Sequence, residues 1–499
     1  MNSIKITPFD DVHIKIECSE EWIRQGLSAF FSFHSKDYQF HPKYKSRMWD
    51  GKTRLYNLKT KKLYKGLLNY VELYANQNKV HLDIDSTLTT AKQIFDNDTC
   101  SKFADILNIT AGGNKISPYD YQQNAVIDAI NKERGLIVSA TGSGKSLIIY
   151  MLIRYYLAKL PSDQKVLIIV PTTALVSQMI GDFYDYSENS IWEALDNCHC
   201  IYKGASKHDS KRVFISTWQS IYKMPITYYE QFGCVIGDEA HKFKAKNIGG
   251  ILEKCVNCKH KFGLTGTVGD RNAPINKLQL EGLFGPQYTA ITTRHLIDRG
   301  FGAELDIRVI KLNYPREECR EVSDMDYPKE TKYIQTHARR NTMLTNLVGK
   351  LADTTLILCE KILHGEELYD RMKKKYPDRP VYIWNGEIDA DVRNDDRARI
   401  ENQTGAIIIA SYGTTEAGIN IKNLHNVIFA SSSKSDYRVM QSIGRGLRIS
   451  KTKSSVDLYD IVDDFTFDGK KNYSVKHFVE RANMYNEAEL GYRSINKLI

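Results

Sequence analysis

Long apolar runs are missing from this chain of 499 residues. Its most apolar stretches, such as Val166-Leu167-Ile168-Ile169-Val170, are far shorter than a membrane span requires. The N-terminus, Met1-Asn2-Ser3-Ile4-Lys5, has no apolar core of the kind a signal peptide carries. These absences point to a cytosolic protein with no membrane partner. Cysteines number nine, an odd count, and are scattered, so reduced thiols are expected rather than a disulfide framework. Cys255-Val256-Asn257-Cys258 has zinc-like spacing, with His260 nearby, and Cys198-His199-Cys200 offers further ligands. A closed zinc site usually shows two well-spaced ligand pairs, and here the second pair is tight and distant. The cysteines therefore read as small buried hydrophobes, with zinc as the alternative. Acidic residues are in the minority, 60 against 69 basic, and the net charge of +9 suits a polyanionic partner without requiring one.

What is present is an ordinary globular composition, 42% hydrophobic and 26% charged, enough for roughly three domains of about 150 residues. The most informative stretch is Ser139-Ala140-Thr141-Gly142-Ser143-Gly144-Lys145-Ser146. An apolar run, Gly135 to Val138, leads in, and the helical-looking Leu147 to Leu152 leads out. Strand, glycine-rich turn, Lys-Ser and helix make a phosphate cradle, in which backbone N–H groups and the helix N-terminus face the phosphate oxygens. Lys145 can reach the β- and γ-phosphates, and the Ser146 hydroxyl can hold Mg²⁺. Ser139 stands where the strict pattern has glycine.

Residues 1–95 read as a separate α+β unit, with strands near Val12 to Ile16, Thr53 to Asn57 and Val80 to Ile84 and a helix from Glu20 to Phe31. Lys43, Lys45, Arg47, Lys52, Arg54, Lys59, Lys61, Lys62 and Lys65 crowd against a single acid, Asp50, with Tyr44, Trp49, Tyr56 and Tyr64 interleaved. Basic groups neutralise phosphates and aromatics stack on bases, so this cluster favours nucleic-acid contact, with Trp49 placed in a small core.

From Ser117 onward, strands and helices alternate. Runs at 135–138, 166–170, 213–216, 234–237 and 262–264 read as buried parallel strands of a doubly wound sheet. Cys234-Val235-Ile236-Gly237 delivers Asp238-Glu239-Ala240-His241 to a strand end. Asp238 there would hold Mg²⁺, and Glu239 would polarise the attacking water. Thr265-Gly266-Thr267 ends another strand, while Thr172, Thr173 and Thr217 offer donors to a nucleic-acid backbone along the same edge. A second αβ region begins near Arg294, with strands at 307–312, 355–359, 381–384, 406–410, 427–430 and 456–461. Arg316 to Lys332 reads as a charged loop or hairpin, and Ser474 to Ile499 as a helix with basic positions Lys476, Arg481 and Arg493. This half has no phosphate loop. It does carry Gln441-Ser442-Ile443-Gly444-Arg445-Gly446-Leu447-Arg448, whose two arginines share a helix face and can act as arginine fingers.

As an ordered set, these residues resemble the DExH helicases of superfamily 2. Gln122 resembles that family's adenine-reading glutamine. Thr141 to Ser146 match motif I, Pro171-Thr172-Thr173 motif Ia, Asp238 to His241 the DExH box, and Thr265 to Thr267 motif III. Ser411 to Asn420 resembles motif V, and Gln441 to Arg448 motif VI. Within the superfamily, Met48-Trp49-Asp50-Gly51-Lys52-Thr53-Arg54-Leu55, Ile168 to Leu175 and Lys422-Asn423-Leu424-His425 are similar to the UvsW group of T-even-type phage recombination helicases. The chain departs from these patterns in two places. Tyr412 and Gly413 stand where motif V often has threonines, and Ala240 replaces a cysteine.

The resemblance implies two tandem RecA-like parallel-sheet domains, 96–293 and 294–499, behind the small α+β domain, the last closed by a helical extension. It implies ATP and Mg²⁺ as cofactors. It assigns catalysis to Lys145, Asp238, Glu239, His241, Gln441, Arg445 and Arg448, nucleotide contacts also to Gly418 and Asn420, and a nucleic-acid contact to Ser411. It implies a monomer in the host cytoplasm acting on forks, D-loops, R-loops and Holliday junctions, beside phage recombination or replication proteins. A duplex translocase, an RNA helicase and a non-hydrolysing switch are the alternatives. The restriction-type version of the first lacks any evident nuclease constellation.

Overall fold

The computed structural model describes residues 2–35, 38–89, 94–202, 204–266, 274–388, 390–416, 421, 423–431 and 455–499. The chain divides into two units. The first comprises Met1–Ser139 and Gly144–Ala290, the second Ile291–Ile499 with the short segment Ala140–Ser143. No helix among the described residues is long and apolar enough to cross a membrane.

The larger sheet of the first unit has seven strands. Their spatial order is Cys198–Ile201, Val213–Thr217, Lys165–Val170, Phe232–Asp238, His260–Thr265, Arg134–Ser139 and Gln287–Ile291. The central strands pair in parallel and are buried at nearly every residue, as continuous apolar runs require when helices cover both faces. Cys198–Ile201 and Gln287–Ile291 lie at the two sheet edges. Their mixed composition hid them from sequence reading, since an edge strand takes its conformation largely from its neighbour.

A four-stranded sheet lies at the start of the same unit, ordered Lys62–Tyr64, His13–Cys18, Ser3–Pro8 and His81–Ile84. Alternating Ile4, Ile6, Ile14 and Ile16 face Ile23 and Leu27 of the helix Glu21–Phe30 and Val71 of the helix Leu68–Gln77. Two residues from far along the chain, Ile275 and Leu278, complete this core. The module is also fastened through polar groups. Lys261, wholly buried, donates from Nζ to the carbonyls of Asp11 (2.8 Å), Cys255 (2.9 Å) and Cys258 (2.6 Å). Arg134 donates to the same Asp11 carbonyl at 2.9 Å. The two cysteines thus contribute backbone oxygens to a lysine cage, and burial pushes the Cys258 thiol up to about 11.

The sheet of the second unit runs Val381–Trp384, Ile407–Ser411, Thr355–Cys359, Asn426–Phe429, Ser455–Asp464, Glu304–Asn313 and Tyr492–Leu498, its paired strands parallel. Two expectations fail here. The charged stretch after Asn313 is helical, Arg316–Ser323 and Tyr327–Thr336. Cys319, Val322 and Ile334 bury one face, and Asp326 caps the second helix by accepting from Lys329 N. The C-terminal segment is helical only over Tyr473–Glu487, and Tyr492–Leu498 is an exposed edge strand held by its register with Ile307–Asn313. Arg481, one of the basic positions read in that helix, is buried in a two-pronged pair with Asp460, and Arg340 pairs in the same way with Asp463. Glu330 accepts from Asn472 Nδ2, Tyr473 N and Ser474 N, so a buried carboxylate closes the start of that last helix.

Beside Arg340 lies His364, whose buried imidazole is driven down to about 3, first by burial and then by the guanidinium charge. Its native form is neutral, while the unfolded side chain protonates near 6.5. The stability it confers is therefore complete above pH 6.5 and is lost as pH falls toward 3, by about 1.4 kcal/mol per pH unit. His364→Gln removes that proton linkage. Urea midpoints measured between pH 7 and 4.5 should decline less steeply for the variant than for the parent.

Candidate active site

The strand Arg134–Ser139 ends in a turn that feeds the helix Lys145–Lys159. Gly142 (φ 86°) and Gly144 (φ 79°) take left-handed conformations that favour glycine. Ser139 does not. It is the last residue of the strand, which is why a serine is tolerated there. At Gly144 a Cβ would also come within 2.5 Å of Gln122 Nε2. Gln122 is buried beside the turn, its Oε1 accepting from Tyr119 N at 2.8 Å. Lys145 Nζ folds back to donate to Ser139 O at 3.2 Å. Ser146 Oγ lies 2.9 Å from the Tyr186 hydroxyl, and Ser143 N donates to Ala140 O.

The strand Phe232–Asp238 brings two acids to the same neighbourhood. Burial, then the Glu239 carboxylate, push the Asp238 carboxyl up to about 7, while Lys145 opposes the shift. Asp182 adds to the upward push, a contribution no sequence pattern marked. Glu239 itself adopts φ 52°, ψ 52°, an uncommon conformation for a residue with a side chain. That left-handed step breaks the strand and starts the 3₁₀ turn Ala240–Lys244. His241 Nδ1 then sits 3.5 Å from Glu239 Oε2 and pairs at 3.1 Å with Thr265 Oγ1 at the end of the next strand. Burial and three nearby lysines, Lys242, Lys244 and Lys145, hold the His241 ring neutral, its pKa driven down to about 2.

Glycines at the strand ends make room beneath these acids. A Cβ on Gly237 would come within 2.7 Å of the Phe243 ring, and one on Gly263 within 2.7 Å of the Phe284 ring. Glycine inside an apolar strand is the signal that could have revealed this close approach.

Along the same strand ends, Thr172 caps the helix Thr173–Ser187 by accepting from Leu175 N, and Thr173 is exposed. Thr217 is buried with its hydroxyl against Ser220, so it is not offered outward as expected. In the N-terminal module Lys43, Lys45, Arg47 and Arg54 are exposed and Lys52 is half-buried. Arg54 is engaged by Asp50. Trp49 is not core. It is half-buried, donating from Nε1 to Lys52 O with its ring edge-on to His41. Phe40 and Met48 stand exposed beside the basic residues. In the second unit, Ser411 Oγ is 2.6 Å from Thr414 Oγ1 at the start of the next helix. Thr267, Gly418, Asn420, Gln441, Arg445 and Arg448 lie outside the described residues.

Residues 3–85 match the family model described as the N-terminal region of the DNA helicase UvsW, and residues 115–270 that of the res subunit of type III restriction enzymes. The ATP-dependent DNA helicase uvsW of Enterobacteria phage T4 is 34% identical over 510 residues, 98% of each chain. This chain belongs to the UvsW family of ATP-dependent helicases. The crystal structure of T4 UvsW matches it at a TM-score of 0.52 and 31% identity, covering 99% of each. A fragment of a putative HsdR subunit of a type I restriction enzyme from Vibrio vulnificus shares the fold at a TM-score of 0.55 and 20% identity, over 76% of this chain and 69% of the other. Like its relatives, this UvsW-family chain is an ATP-hydrolysing helicase with two RecA-like sheets and a small N-terminal module.

Gly144→Ala places a Cβ against Gln122 and strains the turn by about 1–2 kcal/mol. Fluorescent-nucleotide titration should give at least about tenfold weaker binding, with the circular dichroism spectrum unchanged.

Proposed function

We propose that this protein couples hydrolysis of ATP·Mg²⁺ to the remodelling of branched DNA: forks, D-loops, R-loops and Holliday junctions. The carrying observation is that one unit combines the Lys145/Asp238/Glu239/His241 constellation with an exposed basic and apolar lobe. That lobe comprises Lys43, Lys45, Arg47, Phe40 and Met48, within a module matched to the N-terminal region of a DNA helicase. We read the chain as a nucleic-acid-binding domain over 1–95 and RecA-like domains over 96–293 and 294–499.

In this reading Lys145 and the turn Thr141–Gly144 bind the phosphates, and Gln122 reads the adenine. Ser146 and Asp238 hold Mg²⁺. A hydroxyl and a carboxylate suit a hard cation, and a carboxyl pushed up by burial and a like charge gains from one. When bound, the ion supplies charge neutralisation on the β- and γ-phosphates. Glu239 orients and polarises the attacking water, and the neutral His241 pairs with Thr265 3.5 Å from its carboxylate. Gln441, Arg445 and Arg448, with Gly418 and Asn420, are assigned the remaining nucleotide contacts by the order of motifs. Lys43, Lys45, Arg47, Lys52, Arg54, Thr172, Thr173 and Ser411 are assigned DNA contacts, and the buried Thr217 is left with its bond to Ser220. The working form is a monomer in the host-cell cytoplasm, beside the phage's recombination or replication proteins.

Lys145→Ala and Glu239→Gln should each lower DNA-stimulated phosphate release by about a hundredfold or more while leaving a folded protein. The parent should unwind fork, D-loop, R-loop and four-way substrates. Triplex displacement from plain duplex without fork unwinding would instead indicate a translocase. Stimulation by RNA alone would indicate an RNA helicase.

A further inference from the structure

One helix of the first unit, Pro274–Phe284, belongs to two cores. Ile275 and Leu278 pack into the N-terminal module, while Leu280, Leu283 and Phe284 pack beneath the large sheet with Ala240 and Phe243. At its far end this helix meets the module with almost nothing compliant between them. A Cβ on Gly66 would lie 2.0 Å from Glu281 O and 2.7 Å from Gly282 O, so the two backbones touch. A Cβ on Gly282 would lie 2.9 Å from Tyr64 Cβ. The Tyr70 hydroxyl donates to the buried Glu281 Oε2 at 2.6 Å, and the Tyr64 hydroxyl to Glu253 Oε1 at 2.5 Å.

The other side of the same helix end reaches the strand ends. The Phe284 ring fills the space left by two missing side chains. A Cβ on Gly237 would be 2.9 Å from its Cζ, and one on Gly263 2.7 Å from its Cδ2. Gly237 immediately precedes Asp238, and Gly263 lies two residues before Thr265. Phe243, in the turn that follows Glu239, packs edge-on against Phe284 with ring centroids 5.2 Å apart.

We infer that Phe284 is a positioning residue for hydrolysis, and that the N-terminal module sets its place through Tyr64, Gly66 and Tyr70. Close-packed interiors transmit displacement because they have no slack to absorb it. Backbone resting on glycine has less slack than interleaved side chains. A load on the basic lobe therefore tilts the helix end, the ring moves under Gly237 and Gly263, and the carboxylates above move with it. DNA bound at the module thereby changes turnover without touching the nucleotide. This inference rests on the reading of Asp238 and Glu239 as the hydrolytic acids.

The test compares kcat and KM for ATP, with and without forked DNA, in the parent, Tyr70→Phe, Gly282→Ala, Phe284→Leu and the Tyr70→Phe/Phe284→Leu double variant. Thermal melting checks folding. DNA affinity is measured by anisotropy. Tyr70→Phe should keep basal kcat, KM for ATP and DNA affinity, yet lose about threefold to tenfold of the DNA-stimulated kcat, while Gly282→Ala, whose Cβ crowds Tyr64, should shift basal kcat and lose the stimulation as well. Phe284→Leu should lower kcat in both conditions, and adding Tyr70→Phe to it should cost nothing more. Full stimulation in folded Tyr70→Phe and Gly282→Ala overturns the inference, as does a loss explained by weaker DNA binding. A parent whose ATPase ignores DNA overturns the functional reading, and this inference falls with it.

Discussion

The Asp238 carboxyl stands at the end of a strand whose seven residues are all buried, beside a second carboxylate and within reach of a third acid, Asp182. Charge in that setting is costly, and it persists only where other groups compensate it. Much of the surrounding architecture follows from this constraint. Lys145 is brought in by the glycine turn that follows Arg134–Ser139, two places along the sheet, and lowers the cost of ionisation. The Glu239 N–H donates to Asp238 Oδ1 at 2.9 Å, which the left-handed backbone at Glu239 makes compatible with a sharp exit from the strand. His241 stays uncharged, so it can pair with Thr265 beside Glu239 without adding a cation that would collapse onto the acids. The pair is thus held partly uncompensated, which is what keeps the Asp238 carboxyl pushed up.

A second use of buried charge joins the small module to the large sheet. Lys261 gives its donors to carbonyl oxygens, with no carboxylate among the three acceptors. Burial and the nearby Arg134 hold its pKa down to about 8. Carbonyls at Asp11, Cys255 and Cys258 are fixed by backbone, so the cage defines one orientation of the module where an apolar contact would allow sliding. Orientation matters at this joint. The apolar half of the interface, Ile275 and Leu278, sits on the helix whose last residue, Phe284, lies beneath the acids.

How much of this was legible in the sequence follows the same physics. Strands such as Lys165–Val170 and Phe232–Asp238 could be read because a strand buried on both faces must be apolar throughout. Cys198–Ile201 and Tyr492–Leu498 could not, since an edge strand is selected by its partner's open hydrogen bonds rather than by its own composition. The charged run after Asn313 concealed two amphipathic helices because its buried residues are as unobtrusive as Cys319 and Glu330. The phosphate turn was legible through Gly142 and Gly144, where positive φ demands glycine, and its departure at Ser139 is harmless because that residue remains strand. The left-handed Glu239 carries no such mark, since a glutamate, unlike glycine, does not signal that region and nothing in Asp-Glu-Ala-His announces it. Lys261 was opaque for the opposite reason. A lysine inside an apolar strand reads as a conflict until the three carbonyls that satisfy it are seen.

Local rules therefore break in a pattern. A strained acid at Glu239, a lysine within a strand at Lys261, and side chains absent from strand ends at Gly237 and Gly263 each disfavour the fold taken alone. All of them lie on or beside two neighbouring strands, Phe232–Asp238 and His260–Thr265, paired in parallel. The first carries the acids and the second the threonine that His241 reaches. Left-handed residues and buried charges occur elsewhere too, at Glu133 and Arg340 for example, but on this strand pair they coincide with the acids and with the threonine that His241 reaches. Strain and buried polarity persist only where the surroundings over-determine them. The regular core of Ile, Leu and Val on the adjacent strands supplies the stability that lets this pair be irregular.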